Sequence, residues 1–123
     1  MQSISGDALH DLIPAQQVEG TAVYALSGER LGHVDDLLLH KLSGKVAYAV
    51  LVQEGRAAAE PGRRVPLPWT MLKYDTGLGG YVASITASQL QTCPVFEDGE
   101  ARNDDEAWGG RVHAFYQITP AWL

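Results

Sequence analysis

The stretch RLGHVDDLLLHKLSGKVAYAVLVQEG, residues 30–55, consists of two apolar runs separated by the turn-forming pair Ser43-Gly44. Successive side chains of a β-strand point to opposite faces of a sheet. In the second run, the even positions from Val46 to Val52 are apolar, and so are the odd positions between them. These residues predict an antiparallel hairpin whose second strand is covered on both faces.

The first run of this hairpin has apolar residues at both odd and even positions, so it has no single inward phase. A β-bulge, one extra residue in one strand, shifts the alternation by one position. We expect a bulge near Asp35-Asp36, which would leave one of these aspartates outside the ladder and able to accept hydrogen bonds. The bulge would also turn three apolar side chains toward the core, those of Val34, Leu37 and Leu39.

Short β-type runs bounded by glycine or proline continue on both sides of the hairpin. They are TAVYAL at 21–26, RRVPLPW at 63–69, LKY at 72–74 and GYVASI at 80–85. The turn-rich DTGLGG at 75–80 separates the last two. Thr86 and Gln89 have the spacing of a capping box, so one helical turn is predicted there. The pattern predicts an all-β fold, a small antiparallel barrel with one short helical turn and a C-terminal aromatic extension.

The composition limits the possible functions. The chain has 123 residues, enough for one compact domain, and a net charge of −6. Of that charge, −5 belongs to EDGEARNDDEA at 97–107, with six acids and one arginine. This acidic balance argues against direct nucleic-acid binding, which needs a surplus of lysine and arginine. The single cysteine, Cys93, excludes an internal disulfide.

Four parts follow from the changes in composition: a lead-in at 1–12, the barrel domain at 13–96, an acidic linker at 97–107 and an aromatic tail at 108–123. No apolar run is long enough for a transmembrane segment, and the lead-in lacks the layout of a signal peptide, so we expect a cytoplasmic protein. The tail holds four of the ten aromatic residues. Its candidate interaction residues are Trp108, Phe115, Tyr116, Ile118 and Trp122. We expect these side chains to be covered, either by their own barrel or by a second protomer.

Four polar residues of the hairpin are the candidates for chemistry: His33, Asp35, Asp36 and His40. Adjacent strand residues face opposite sides, so the two aspartates are not expected to form an acid–base pair. His33 and Asp35 share a face and could supply two metal ligands, but a site needs a third. Solvated strand residues are the preferred interpretation, and neither a metal nor a cofactor is expected.

No motif for a nucleophile, a phosphate-binding loop or a dinucleotide-binding loop occurs in the sequence, and GLGG at 77–80 is interpreted as a hairpin turn. Arg63-Arg64 is interpreted as a solvated strand edge. We therefore expect a protein that is not an enzyme. The alternative hypothesis is a small-ligand or metal-binding regulator, or a weak hydrolase, built on the four polar residues of the hairpin.

Three segments in order resemble the PRC-barrel family, named after the cytoplasmic part of the photosynthetic reaction centre H subunit. They are GERLGHVDDLLLHKLSGKVAYAVL at 28–51, VPLPWTMLKYD at 65–75 and GGYVASITASQL at 79–90. The family often has a carboxylate where this chain has His40, which leaves open how the following turn is fixed. The resemblance implies a stand-alone small β-barrel and an adaptor role, as in the reaction centre or in a ribosome-maturation factor that binds a ribosomal protein.

The leading hypothesis is a noncatalytic interaction or adaptor module that self-associates through its barrel edges and aromatic tail. The expected partners are further copies of the chain, as a homodimer or higher oligomer, and an unidentified protein. A ribosome-assembly adaptor is the alternative that the resemblance implies.

Overall fold

The computed structural model describes residues 12–55, 62–95 and 105–117. Within these ranges six strands form one curled half-barrel sheet in the order β4-β3-β2-β1-β6-β5. The strands are β1 Ala22–Tyr24, β2 Arg30–Leu39, β3 Val46–Gln53, β4 Arg64–Pro68, β5 Leu72–Asp75 and β6 Gly80–Ala83. The predicted β-barrel architecture is thus found in its main features, as a half-barrel.

The sheet is mixed rather than purely antiparallel. All neighbouring strands run antiparallel except β1 and β6, which pair in parallel through Val23 with Tyr81 and Tyr24 with Val82. The parallel pair arises because β6 returns to the free side of β1 only after the chain has passed through β4 and β5.

In the part of the chain that the structure describes, three α-helices and a short 3-10 helix accompany the sheet. They are α1 Ala15–Val18, the 3-10 helix Trp69–Met71, α2 Ala87–Thr92 and α3 Asp105–Tyr116. The predicted capping box begins α2: the Thr86 hydroxyl accepts from Gln89 N at 3.0 Å, and Thr86 N donates to Gln89 Oε1 at 2.9 Å. Helix α3 was not predicted, and it begins inside the segment predicted as an acidic linker.

The β2–β3 hairpin contains the predicted bulge. Val34 pairs with Leu51 and Asp36 with Val50, so Asp35 is the extra residue. Val34 is fully buried and Leu37 packs against the core, as expected. The prediction for Leu39 is wrong: its side chain is 56% exposed, because a second register shift follows Leu38 near the end of the ladder.

Strand β3 is covered on both faces, as its sequence predicted. On one face Ala49 and Leu51 belong to the main core, which the curled sheet encloses together with α2. On the other face Tyr48 belongs to a second apolar cluster that includes Trp108 and Val112 of α3. The second cluster therefore fixes α3 to the outside of the sheet.

Strands β2 and β3 lie unusually close at Gly32. A Cβ atom at this position would lie 1.9 Å from the carbonyl oxygen of Val52. Only glycine permits this approach of the two backbones. The hairpin that decides the fold thus depends on one residue without a side chain.

Candidate functional site

The first polar group on the hairpin centres on Glu54, which follows β3. Its Oε1 atom lies 3.1 Å from Arg30 Nη2 and 3.1 Å from His33 Nδ1. The hydrogen bond from His33 is the largest influence and lowers the pKa of the Glu54 carboxyl, and Arg30 adds to this effect. His33 is therefore engaged in an exposed ionic group on its own sheet.

The two aspartates of the bulge have separate partners. Asp35 Oδ2 lies 3.2 Å from Arg64 Nη2, in an ion pair that reaches from β2 across β3 to β4. Asp36 Oδ1 accepts a hydrogen bond from Leu37 N at 2.8 Å. Asp35, the residue outside the ladder, is thus used in an ion pair, and the backbone hydrogen bond is accepted instead by Asp36, which stays paired with Val50. The two carboxylates do not act together.

His40 fixes the turn of the hairpin. Its Nδ1 atom accepts from Ser43 N at 3.2 Å and lies 3.0 Å from Ser43 Oγ. The backbone closes the same turn through His40 N to Lys45 O and Gly44 N to His40 O. The imidazole therefore does what a carboxylate at this position could do, accepting a backbone N–H across the turn.

The four polar residues of the hairpin thus have separate partners. His33 binds Glu54, Asp35 binds Arg64, Asp36 binds the backbone of the bulge, and His40 binds the turn. Across residues 12–55, 62–95 and 105–117, no three His, Cys, Asp or Glu side chains are grouped so that they could hold a metal ion. The hairpin does not bring its candidate residues together into a single site.

The aromatic tail, in its described part, lies on its own barrel. Trp108 is 2% exposed and meets Tyr48 edge to face, with ring centroids 4.7 Å apart and planes at 67°. His113 Nε2 forms a short hydrogen bond with the Tyr48 hydroxyl. At Gly109 the helix backbone lies close to this hydroxyl: a Cβ atom there would lie 3.4 Å from it, at the near limit of ordinary contact. These contacts anchor the first turns of α3 to β3.

The end of α3 lies beside Cys93, the residue that follows α2. Phe115 and Tyr116 pack against the main core and against each other, with ring centroids 4.9 Å apart. Burial raises the pKa of the Tyr116 hydroxyl, and the neighbouring Cys93 thiol raises it further. Burial also raises the pKa of Cys93, whose Sγ donates to Leu90 O. The other two predicted tail residues, Ile118 and Trp122, lie outside the described residues.

Arg63 is more buried than the sequence suggested. Its guanidinium donates to Leu90 O at 2.8 Å. With the Gln53 amide oriented so that its oxygen faces Arg63, the guanidinium also donates to that oxygen at 2.8 and 3.0 Å. Gln53 is itself fully buried, so the arginine satisfies a polar group inside the barrel. The interpretation of Arg63-Arg64 as a solvated strand edge therefore holds for Arg64, which faces outward to Asp35, and not for Arg63.

The two outer strands of the sheet differ in what their free edges present. On β4, Gln53 N donates to Arg63 O, and the alternation of an antiparallel ladder then directs the backbone nitrogens of residues 66 and 68 away from β3. Both positions are proline, which has no N–H to offer. Helix α3 also lies against β4. This edge is therefore unsuited to pairing with another strand.

The β5 edge carries an aromatic row that sequence reasoning did not identify. Trp69 and Tyr81 lie with ring centroids 5.4 Å apart, and Tyr81 and Tyr74 lie 5.2 Å apart. The row runs from the buried Tyr81 to Tyr74, which is 43% exposed. The spacing of Tyr74 and Tyr81 across the DTGLGG turn was the signal that could have shown it, because a hairpin there places them opposite each other.

None of the helices in the described ranges has the length and apolar character of a membrane span.

The curled half-barrel, its bulged hairpin and its capped α2 define a small β-barrel domain. A family model, the PRC-barrel domain, matches residues 10–98. The chain therefore belongs to the PRC-barrel domain family.

One solved structure similar to the chain is that of a 16S ribosomal RNA processing protein, RimM, from Pseudomonas aeruginosa. The two share 20% sequence identity with a TM-score of 0.46 over 63% of this chain and 48% of that one. This chain thus spans about half the length of the matched protein. A search of the curated proteins gives no match.

Proposed function

We propose that this PRC-barrel domain is a noncatalytic interaction module that self-associates. The surface used is the β5 edge of the sheet, with its aromatic row of Trp69, Tyr81 and Tyr74. The observation that carries the proposal is the contrast between its two edges. Proline occupies the outward positions of β4, whereas β5 presents an exposed aromatic side chain, Tyr74, beside a backbone edge with which no strand of the described residues pairs. An aromatic side chain at an open edge offers both apolar area and main-chain hydrogen bonds to a partner.

The polar residues support an interaction role over a chemical one. His33 is bound to Glu54, Asp35 to Arg64, and His40 to its own turn. A catalytic or metal-binding role would require these groups to leave their partners and converge. The ion pairs instead act across strands β2, β3 and β4, which stabilises the wall of the barrel.

The aromatic tail offers a second route to self-association. Trp108 and Val112 fill the outer face of β3, and the chain between residues 95 and 105 lies outside the described ranges. The same helix could pack on β3 of a second protomer, since the contacts would be identical. Exchange of this kind would place the tail in the role that its composition predicted.

Light scattering with the full chain, over a series of concentrations up to several hundred micromolar, tests the proposal. We expect the molar mass to rise from that of one chain toward that of two. A mass of one chain at every concentration would contradict self-association. Melting temperatures with divalent cations and with a chelator serve as a control, and a shift would favour the metal-binding alternative.

A ribosome-assembly adaptor is an alternative within the same class of interaction modules. Its test is co-purification of the full chain with ribosomal proteins from cells. The concentration of acidic residues at 97–107 favours a protein partner over direct contact with RNA in that case.

A further inference from the structure

The backbone of β5 presents one complete hydrogen-bonding position on its free side. Ser84 N donates to Met71 O, so the antiparallel alternation places the bonds to β6 at Lys73 and Asp75. The N–H and C=O of Tyr74, between them, then point away from β6. Within the described ranges, no strand pairs with this side of β5.

At Leu72, the neighbouring position whose backbone groups point outward, the N–H already has a partner. Leu72 N donates to Trp69 O at the end of the 3-10 helix. A strand that adds to β5 therefore finds a full donor and acceptor pair only at Tyr74. If this edge pairs with the same edge of a second copy, two-fold symmetry makes the central residue of one strand face the same residue of the other. Among the described residues, the only position with both a free donor and a free acceptor on β5 is Tyr74, so the pair would be centred there.

The charges on either side of Tyr74 are opposite. Lys73 and Asp75 are both exposed and share the face of β5 that is opposite to the Tyr74 ring. In an antiparallel pair centred on Tyr74, Lys73 of one copy lies directly opposite Asp75 of the other, and the same contact occurs twice. Opposite charges at facing positions stabilise an antiparallel pair, and like charges destabilise it.

Asp75 is suited to this contact even though it also supports its own turn. Its Oδ1 atom accepts from Gly77 N at 2.8 Å and from Leu78 N at 3.1 Å, which holds the carboxylate at the edge. Both bonds use Oδ1, so Oδ2 can accept from a lysine across the strand pair. The turn thus orients the side chain before any partner arrives.

We infer that β5 pairs antiparallel with β5 of a second copy of this chain, centred on Tyr74. The inference rests on the self-association proposed above and names the surface responsible. Reciprocal backbone bonds join the two Tyr74 residues, and their rings meet on one face. On the other face, two Lys73–Asp75 pairs fix the antiparallel direction and the register.

The first experiment compares Lys73→Glu with Lys41→Glu by light scattering of the full chain. Both variants replace an exposed lysine, but Lys41 lies in the β2–β3 turn, far along the chain from β5. Lys73→Glu places two like-charged pairs in the contact, so we expect dimerisation to weaken roughly tenfold or more. Lys41→Glu should leave it unchanged. Equal dimerisation by Lys73→Glu and the unmodified chain overturns the inference but leaves self-association intact.

The second experiment mixes Lys73→Glu with Asp75→Lys. Each variant alone has like charges facing each other, whereas a mixed dimer has two attractive pairs. We expect little dimer from either variant and recovery in the equimolar mixture, measured by native mass spectrometry. No recovery, with both variants shown to be folded by their melting curves, overturns the proposed register.

Amide hydrogen exchange provides a third measurement that needs no variant. Exchange of the Tyr74 N–H in the unmodified chain should slow as the protein concentration rises, because that N–H becomes bonded only in the dimer. An exchange rate that is the same at low and high concentration overturns the inference. If light scattering finds a single chain at all concentrations, both the inference and the proposed self-association fail.

Discussion

Tyr48 of β3 and Trp108 of α3 meet edge to face, with ring centroids 4.7 Å apart. This contact joins the second strand of the fold-deciding hairpin to the last described helix. Trp108 is 2% exposed, so its ring is buried as deeply as the main core. The described part of the tail, which ends at residue 117, therefore packs on the folded barrel, and removing Trp108 should lower the stability of the whole domain.

We expect Trp108→Ala to lower the free energy of unfolding by about 3–5 kcal/mol, because it removes a buried aromatic side chain and leaves a cavity over Tyr48. Chemical denaturation followed by circular dichroism measures this change. Leu42→Ala is the control, since Leu42 is 93% exposed and its truncation should change stability by less than about 0.5 kcal/mol. Equal effects of the two variants would show that α3 is not docked on β3 in solution.

The two adjacent glycines of α3 should respond differently to alanine. A Cβ atom at Gly110 meets open space, so Gly110→Ala should stabilise the protein by about 0.5–1 kcal/mol through better helix propensity. At Gly109 the new Cβ lies 3.4 Å from the Tyr48 hydroxyl, so the gain should be smaller. Melting temperatures of the two variants test the order, and a larger gain at Gly109 would contradict this packing of the helix.

Gly32→Ala should destabilise the domain strongly. The new Cβ would lie 1.9 Å from Val52 O, so β2 and β3 must separate where the hairpin is paired. We expect a loss of more than about 3 kcal/mol, in the range of the severe substitutions that strain a backbone. The same chemical change at Gly110 serves as the matched control. A melting temperature of Gly32→Ala close to that of the unmodified chain would refute the close approach.

Stability should fall at alkaline pH because of Tyr116. Burial raises the pKa of its hydroxyl in the folded state, whereas in the unfolded chain the pKa is the ordinary value of about 10. Below that pH both states are protonated and the stability is fully present. Above it the unfolded state loses its proton first, so stability decreases as pH rises, by at most about 1.4 kcal/mol per pH unit for one group.

Unfolding by urea at pH 8, 10 and 11 measures this dependence for the unmodified chain and for Tyr116→Phe. The phenylalanine variant should lose less stability between pH 10 and 11. Identical slopes for the two proteins would mean that Tyr116 is not buried as a neutral hydroxyl. Cys93 adds to the slope in both proteins, since burial raises the pKa of its thiol too.

The sequence predicted those elements whose signals are local. The bulge at Asp35 follows from a change in the phase of apolar residues within one strand, and the cap at Thr86 from a three-residue spacing. Helix α3 was missed because adjacent glycines lower its intrinsic propensity and its burial depends on Tyr48, which is distant in the chain. Long-range packing decides such a segment.

In the candidate site too, the sequence predicted what depends on neighbouring residues and missed what depends on distant ones. The sequence indicated that Asp35 and Asp36 do not act together, because strand alternation is a local rule. It did not indicate that Arg63 turns inward, since that depends on a buried amide at Gln53 and a carbonyl at Leu90. Leu39 was placed in the core by phase alone, but a second register shift after Leu38 leaves its side chain 56% exposed.

The prolines at positions 66 and 68 also determine how far the sheet can extend beyond one molecule. A sheet with two competent edges can add copies at both sides and grow into a fibre. Here β4 offers no outward N–H at either position, so an assembly made through β5 closes as soon as two chains have met. Replacing these prolines would restore outward N–H groups to β4, and the helix α3 that lies against this strand would then be the remaining obstacle to polymerisation.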